Sequence, residues 1–246
     1  MKVLCVLLLL SPLLLLGQST DTALEGAWEG SFPDGAGGQN RLVMIVADGY
    51  FVMTAYAGDT TGQFIATLGG SYTATADTMR VTYEFDSGTP ANVGRTVAMP
   101  YTATGSLLVF NQDKAWQRID DGDGPLVGAY EITGRKEDGE MRRRPVTGPR
   151  RTMKILSGTR FQWIAYNTET AEMLGTGGGT YTAEAPQYIE RIEFFSRDPA
   201  RVGKQLSFDY KIRNNEWHHM GLSSKGEPLY ETWGHRPVAA SASAEE

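Results

Sequence analysis

The chain repeats itself once, at a constant spacing of 109 residues. Residues 67–76, TLGGSYTATA, align with residues 176–185, TGGGTYTAEA, and the alignment continues without a gap to residues 101 and 210. Of these 35 aligned positions, 15 are identical. Solenoid and propeller repeats are only about 20–50 residues long, so a repeat of this length is a whole domain. The sequence therefore predicts two related domains, each with its own hydrophobic core.

The N-terminal segment belongs to neither copy. A positively charged start, Met1-Lys2, is followed by an apolar run from Leu4 to Leu16. This pattern predicts a secretory signal peptide at 1–19. The run is short for a membrane span and contains Pro12, so we expect no membrane anchor after cleavage. The predicted location of the protein is secreted or periplasmic.

Composition excludes several classes of function. The only cysteine, Cys5, lies within the predicted signal peptide, so the mature chain has no disulfide and no thiolate chemistry. The net charge is −6, which argues against a nucleic-acid partner. A basic cluster at 142–144 with 150–151 is expected to be a solvated loop between strands.

The local pattern in each copy is typical of β-strands joined by tight turns. In the first copy the apolar run 41–47 is followed by Asp48-Gly49 and by the run 51–56, which together predict a hairpin. About eight such runs follow one another in each copy, without a helical stripe. The predicted fold is all-β: two tandem up-and-down antiparallel barrels, at 24–119 and 126–237. Their low-complexity continuation, 238–246, is predicted to be a disordered tail.

The first and last strands of each copy carry a pattern that resembles the lipocalin-like (calycin) barrels. The first copy begins with Gly26-Ala-Trp28 and ends near Arg118, and the second begins with Gly128-Ala-Tyr130 and ends near Arg236. In that superfamily the first-strand aromatic plugs one end of the barrel and the arginine packs across it. The resemblance therefore implies that Arg118 stacks on Trp28, and Arg236 on Tyr130, as structural plugs.

Most of the second copy is also similar to secreted domains of unknown function from Bacteroidetes-type bacteria. The similarity lies in FQWIAYN at 161–167, GTGGGTYT at 175–182, IEFFSR at 192–197 and WHHMGLSSKG at 217–226. No activity comes with that resemblance, so it implies a fold and not a chemistry.

The two copies differ in polar and aromatic content. The second has Phe161-Gln-Trp163 and Trp217-His-His219 where the first has Phe51-Val-Met53 and Leu107-Leu-Val109. An eight-stranded barrel can hold one small ligand, and ligand pockets combine aromatic walls with a few polar groups. We therefore predict that the second barrel binds a small, partly apolar molecule. The predicted contacts are Trp163, Tyr181, Glu193, Tyr210, Trp217 and His219.

Two other functions stay open. The barrels could be filled with side chains and form a structural or interaction module. Alternatively, an enzyme could use Glu193 and His219 as acid and base, although no catalytic motif is present and an enzyme is the less favoured class. Glu193 and its first-copy equivalent Glu84 are expected either at the solvent face or in the cavity, with Arg191 or His219 as the partner of Glu193.

The histidines do not predict a metal site. His218 and His219 are adjacent on a strand, so their side chains point to opposite faces and cannot chelate one ion together. His235 could approach from the last strand, and a single histidine could hold haem. No further marker supports either, and we predict neither a metal nor a cofactor.

Overall fold

The structure is a computed structural model that describes residues 23–112 and 115–237. The predicted signal peptide and the predicted tail lie outside these residues. The described residues form strands joined by short turns, with two single-turn 3₁₀ helices at Pro90–Asn92 and Pro199–Arg201. The strands are β1 Gly26–Pro33, β2 Gln39–Ala47, β3 Tyr50–Ala57, β4 Phe64–Ala74, β5 Thr78–Asp86, β6 Thr96–Thr104, β7 Leu107–Phe110, β8 Ala115–Asp120, β9 Gly128–Glu137, β10 Glu140–Arg143, β11 Arg150–Leu156, β12 Arg160–Asn167, β13 Glu172–Glu184, β14 Gln187–Phe195, β15 Gln205–Arg213, β16 Glu216–Leu222 and β17 Pro228–His235.

Both copies close into antiparallel barrels. In the first, each of β1 to β8 pairs with the next strand, and β8 returns to pair with β1. In the second, β9 and β11 to β17 do the same, and β17 returns to pair with β9. The predicted fold, all-β with two up-and-down barrels of eight strands, is therefore confirmed. Such an arrangement fits a tandem lipocalin-like fold.

The second copy has one strand more than predicted. Strand β10 pairs only with the end of β9, outside the closed ring. It contains Arg142 and Arg143, so part of the basic cluster that was expected in a loop is an exposed hairpin arm. Strand β10 thus lengthens one wall of the second barrel only.

A β-bulge occurs at the same point of both barrels. The register shifts opposite Gly69-Gly70 in the first and opposite Gly178-Gly179 in the second, which leaves Glu84 and Glu193 as the extra residues. A Cβ on Gly179 would lie 2.0 Å from the Arg191 carbonyl oxygen, so only glycine allows this approach. One extra residue reverses the alternation of the strand. Phe85 and Phe194, which the alternation from Val81 and Ile192 would place in the lumen, therefore pack outside it.

The two barrels contact each other through side chains that point outward from both of them. A single buried cluster contains Val52 and Phe85 from the first barrel and Ile155, Tyr166 and Phe194 from the second. Rings from the two barrels pack across it, with centroids 5.0 Å apart for the stacked pair Tyr56 and Phe194 and 4.9 Å apart for the tilted pair Phe85 and Tyr166.

Polar contacts across this interface are reciprocal. The hydroxyl of Tyr56 donates to Glu193 Oε2 at 2.7 Å, and the hydroxyl of its counterpart Tyr166 donates to Glu84. Each bulge carboxylate therefore contacts the tyrosine of the opposite barrel. An exchange of equivalent contacts of this kind is typical of a two-fold interface, here within one chain.

The predicted plugs differ between the barrels. Arg118 lies over the Trp28 ring, 4.0 Å from its centroid. In the second barrel the ring of His235, not Arg236, packs on Tyr130, with centroids 4.3 Å apart. The predicted stacking of Arg236 on Tyr130 is therefore wrong. The last strand pairs His235 with Tyr130, and the next residue points to the other side of the sheet.

Arg236 instead belongs to the interface between the barrels. Its guanidinium lies 3.9 Å from the centroid of the Tyr50 ring and donates to Glu84 Oε1 at 3.0 Å. Burial lowers the pKa of Arg236, but Tyr166 and Glu84 outweigh that effect and raise it overall. The residue thus ties the end of the second barrel to the first.

Candidate functional site: the lumen of the second barrel

The second barrel contains a cavity of about 280 Å³. Aromatic side chains form much of its wall, including Trp163, Phe195, Phe208 and Trp233. Charged and polar side chains also line it: the largely buried Lys154, Glu190, His219 and Glu231, and the more exposed Arg135, Arg144, Ser223 and Ser224. This combination of apolar wall and few polar groups is typical of small-molecule sites.

An ion pair lies within the lumen. Lys154 Nζ is 2.9 Å from Glu190 Oε1, and the two side chains are only 4% and 5% exposed. The hydroxyl of Tyr188 donates to the same carboxylate oxygen at 3.0 Å. Burial, followed by the charge of Glu190, raises the pKa of Tyr188 well above its ordinary value, so this hydroxyl keeps its proton and remains a donor.

Aromatic rings surround the ammonium group of this pair. Four ring centroids lie 5.1–5.8 Å from Lys154 Nζ, those of Phe161, Tyr188, Trp217 and Trp233. A cation over an aromatic face is stabilised by the ring quadrupole, most strongly where water is excluded. The rings therefore offset part of the cost of burying Lys154, which its pairing with Glu190 also reduces.

His219 projects into the lumen from β16 and is 3% exposed. Neither ring nitrogen makes a hydrogen bond within the described residues, since Glu231 Oε2 lies 3.8 Å from Nδ1. Burial and then the charge of Lys154 lower the pKa of His219, despite the carboxylates nearby. The imidazole is therefore neutral at neutral pH and offers one donor and one acceptor.

Glu231 is the second carboxylate of the cavity. Burial alone would raise its pKa, but His219, Lys154 and Arg135 together outweigh burial and lower it. Glu231 is therefore ionised at neutral pH. Its nearest cation, Arg135, lies 4.0 Å away, which is an ion pair without a hydrogen bond.

Two indole N–H groups near His219 also lack partners. Nε1 of Trp217 and Nε1 of Trp233 are buried and make no hydrogen bond within the described residues. A buried polar group without a partner costs about 1–3 kcal/mol. Together with His219 they concentrate unsatisfied polar atoms in one part of the lumen.

The predicted ligand contacts are divided between several places. Trp163 and His219 line the cavity, and Trp217 lies beside it against Lys154. Tyr181 and Tyr210 instead belong to the apolar core of the same barrel. The Tyr181 hydroxyl donates to the Ser157 carbonyl oxygen at 2.6 Å, in the turn between β11 and β12.

Glu193 is neither at the solvent face nor in the cavity, and this corrects both expectations. It lies on the interface side of β14 and accepts hydrogen bonds from Arg160 at 2.6 Å, Tyr56 at 2.7 Å and Arg41 at 3.3 Å. Glu193 follows Ile192, which lines the cavity, so strand alternation points it away from the lumen. The carboxylates that accompany His219 are Glu190 and Glu231 instead.

Sequence reasoning missed the buried ion pair, although a signal was present. Lys154 stands between Met153 and Ile155, where the first copy has Met44, and Glu190 stands where the first copy has Val81. A charged residue in one copy opposite an apolar residue in the other, at a lumen-facing position, would have identified both.

The other two histidines serve elsewhere. His218 Nδ1 is 3.0 Å from the Tyr230 hydroxyl, and His235 Nδ1 is 3.0 Å from Asp48 Oδ2 in the first barrel. Within residues 23–112 and 115–237, no group of three or more histidine, aspartate or glutamate side chains is placed to hold a metal ion. The described part of the chain also has no helix long and apolar enough to cross a membrane.

Comparison with known proteins adds no family to this picture. No family model matches the sequence, and no curated protein matches it. The features that bear on the function of the chain are therefore its two barrels and the cavity in the second.

Proposed function

We propose that the protein binds a small, partly apolar molecule in the lumen of its second barrel, as a secreted or periplasmic binding protein. The observation that carries this proposal is the set of buried, unpaired polar atoms beside the cavity, on His219, Trp217 and Trp233. A ligand with a hydrogen-bonding group would satisfy some of them, and its apolar part would cover the aromatic wall.

The alternative of barrels filled with side chains fits the first barrel better than the second. The core of the first barrel consists of apolar and tyrosine side chains such as Met44, Phe51 and Leu108. The second retains charged groups and a cavity at the corresponding depth. An acid–base role for Glu193 with His219 lacks geometric support, because Glu193 is held at the interface by Arg160 and Tyr56.

Native mass spectrometry of the protein from its own host tests the proposal directly. We expect a mass increase that disappears on denaturation, and a mature chain that begins near Thr20. The released molecule, added back to ligand-free protein, should change the fluorescence of Trp163 and Trp233, which line the cavity. Signal that stays with an intact Met1 chain in the membrane would contradict the proposed location.

A matched pair of variants locates the binding site. His219→Phe installs the residue that the first barrel has at the equivalent position, Phe110. This substitution should weaken ligand binding about tenfold, because it removes one or two hydrogen bonds. His218→Phe makes the same change on the neighbouring residue, whose ring contacts Tyr230 instead. Equal effects of the two substitutions, or none, would show that the lumen is not the site.

A further inference from the structure

The mouth of the cavity carries excess positive charge. Arg135 and Arg144 line it with one carboxylate, Glu231. Arg135 lies 4.0 Å from Glu231, and Arg144 lies 3.6 Å from Glu137, a half-exposed carboxylate that also pairs with Arg142. Neither guanidinium makes a side-chain hydrogen bond in the described residues. Both arginines therefore keep donors available for a ligand. The protein as a whole has a net charge of −6, so this positive mouth is a local feature.

The interior of the cavity is arranged differently. Lys154 is already neutralised by Glu190 at 2.9 Å, and Glu190 would repel a second anion placed beside it. The unpaired groups there, His219 and the indole of Trp233, are uncharged donors and acceptors. A negative group is thus favoured at the mouth and a neutral polar group in the interior.

Positive charge also continues outside the mouth. A neighbouring cleft of about 320 Å³ shares Arg144 and Thr152 with the cavity. It is lined by three arginines, Arg144, Arg150 and Arg151, and by one carboxylate, Glu131, which pairs with Arg151. Arg144 follows the additional strand β10. The corresponding turn of the first barrel, 34–38, reads Asp-Gly-Ala-Gly-Gly and contains no cation. The basic mouth is thus specific to the second barrel.

We propose that the ligand is an organic anion whose negative group is bound by Arg135 and Arg144 at the mouth, with its apolar body among the aromatic side chains of the lumen. This inference rests on the proposed binding function and adds the chemical class of the ligand. Arginine suits the role because its planar fork of donors matches carboxylate and sulfonate oxygens.

Two dyes that differ by a single sulfonate group test it on the full-length mature protein. 8-Anilino-1-naphthalenesulfonate carries one negative charge, and N-phenyl-1-naphthylamine has the same rings without it. At low salt we expect the sulfonate to bind about tenfold more tightly, which is the size expected for two half-exposed ion pairs. This preference should shrink as salt is added, because exposed charges are screened.

Substitutions distinguish the preference for an anion from binding in the lumen itself. Arg135→Gln with Arg144→Gln should abolish the preference for the sulfonate, and Arg80→Gln, an exposed arginine of the first barrel, should leave it unchanged. Thr152→Phe should narrow the cavity and weaken both dyes. Equal affinity for the two dyes, or a preference that survives the double substitution, would overturn the anion inference alone. Binding of neither dye, or binding unaffected by Thr152→Phe, would count against the proposed function as well.

Discussion

The two barrels have the same strand order but different interiors. In the first barrel Met44 pairs with Trp28 and Met53. In the second, Lys154 pairs with the equivalent residues Tyr130 and Trp163, so Met44 and Lys154 occupy the same position. By the same correspondence Val81 stands for Glu190, Leu108 for Trp217, and Phe110 for His219. The strand register thus corrects by one residue the match of 217–219 with 107–109 that the sequence predicted. These four positions, which are charged or carry a ring N–H in the second lumen, are thus aliphatic or phenyl in the first, whereas Trp233 is matched by Trp116.

This difference shows that the barrel fold does not need a polar lumen. The first barrel closes around an apolar interior with the same pairing of strands, so the charges of the second are not required for closure. Burying a charged pair costs desolvation that its attraction often only balances. Stability alone therefore gives no reason for the polar lumen, which agrees with the proposed binding function.

The largest effect is expected from breaking the buried ion pair. Lys154→Met installs the first-barrel residue and leaves Glu190 buried without its cation, which should lower the free energy of unfolding by about 3–5 kcal/mol. Lys154→Met with Glu190→Val copies both first-barrel residues and should recover most of that loss or exceed the wild type. Urea denaturation measures both. A single variant as stable as the wild type would mean that the pair is not buried as described.

A smaller and symmetric effect is expected at the interface. Glu193→Gln and Glu84→Gln each weaken charge-assisted hydrogen bonds to an arginine and to a tyrosine of the other barrel. Each should cost about 1–3 kcal/mol. Denaturation midpoints should fall by similar amounts. A loss confined to one of the two would show that the reciprocal contacts are not equivalent.

His219 should make the free energy of unfolding depend on pH. Its pKa is lowered in the folded protein, so below pH of about 6.5 the unfolded chain binds a proton that the folded one does not. Stability should then fall with decreasing pH, by at most about 1.4 kcal/mol per pH unit from this group. His219→Phe, which copies Phe110, should remove that part of the slope below a pH of about 6.5. His218→Phe is the control, and an unchanged slope in His219→Phe would refute the assignment.

The smallest expected difference lies at the plugged ends. Arg118 covers Trp28 and also donates to the carbonyl oxygens of Glu25 and Gly105, whereas His235 is partly exposed on Tyr130. Arg118→Ala should cost about 1–2 kcal/mol and His235→Ala less than about 1 kcal/mol. Thermal unfolding measures both. The reverse order would show that the second plug depends more on its partner than the first.

Much of the fold could be read from the sequence because it depends on local patterns. The short β-branched runs and the turn at Asp48-Gly49 are recognised from neighbouring residues alone. The repeat at 109 residues then shows that the same local pattern occurs twice. The same holds for the aromatic first-strand residues Trp28 and Tyr130. Alternation along a strand then places Trp163 and His219 on the lumen side, as the structure does.

What only the tertiary structure decided begins where that alternation fails. The bulge opposite Gly178-Gly179 turns Phe194 from the lumen to the interface, and only the docking of the barrels brings Arg41 and Tyr56 to Glu193. Lys154 and Glu190 lie 36 residues apart in the chain and meet only when the barrel closes. Sequence determines which face a side chain takes while the register is regular. Long-range packing determines which groups meet there, because their proximity depends on closure and not on any neighbour in the chain.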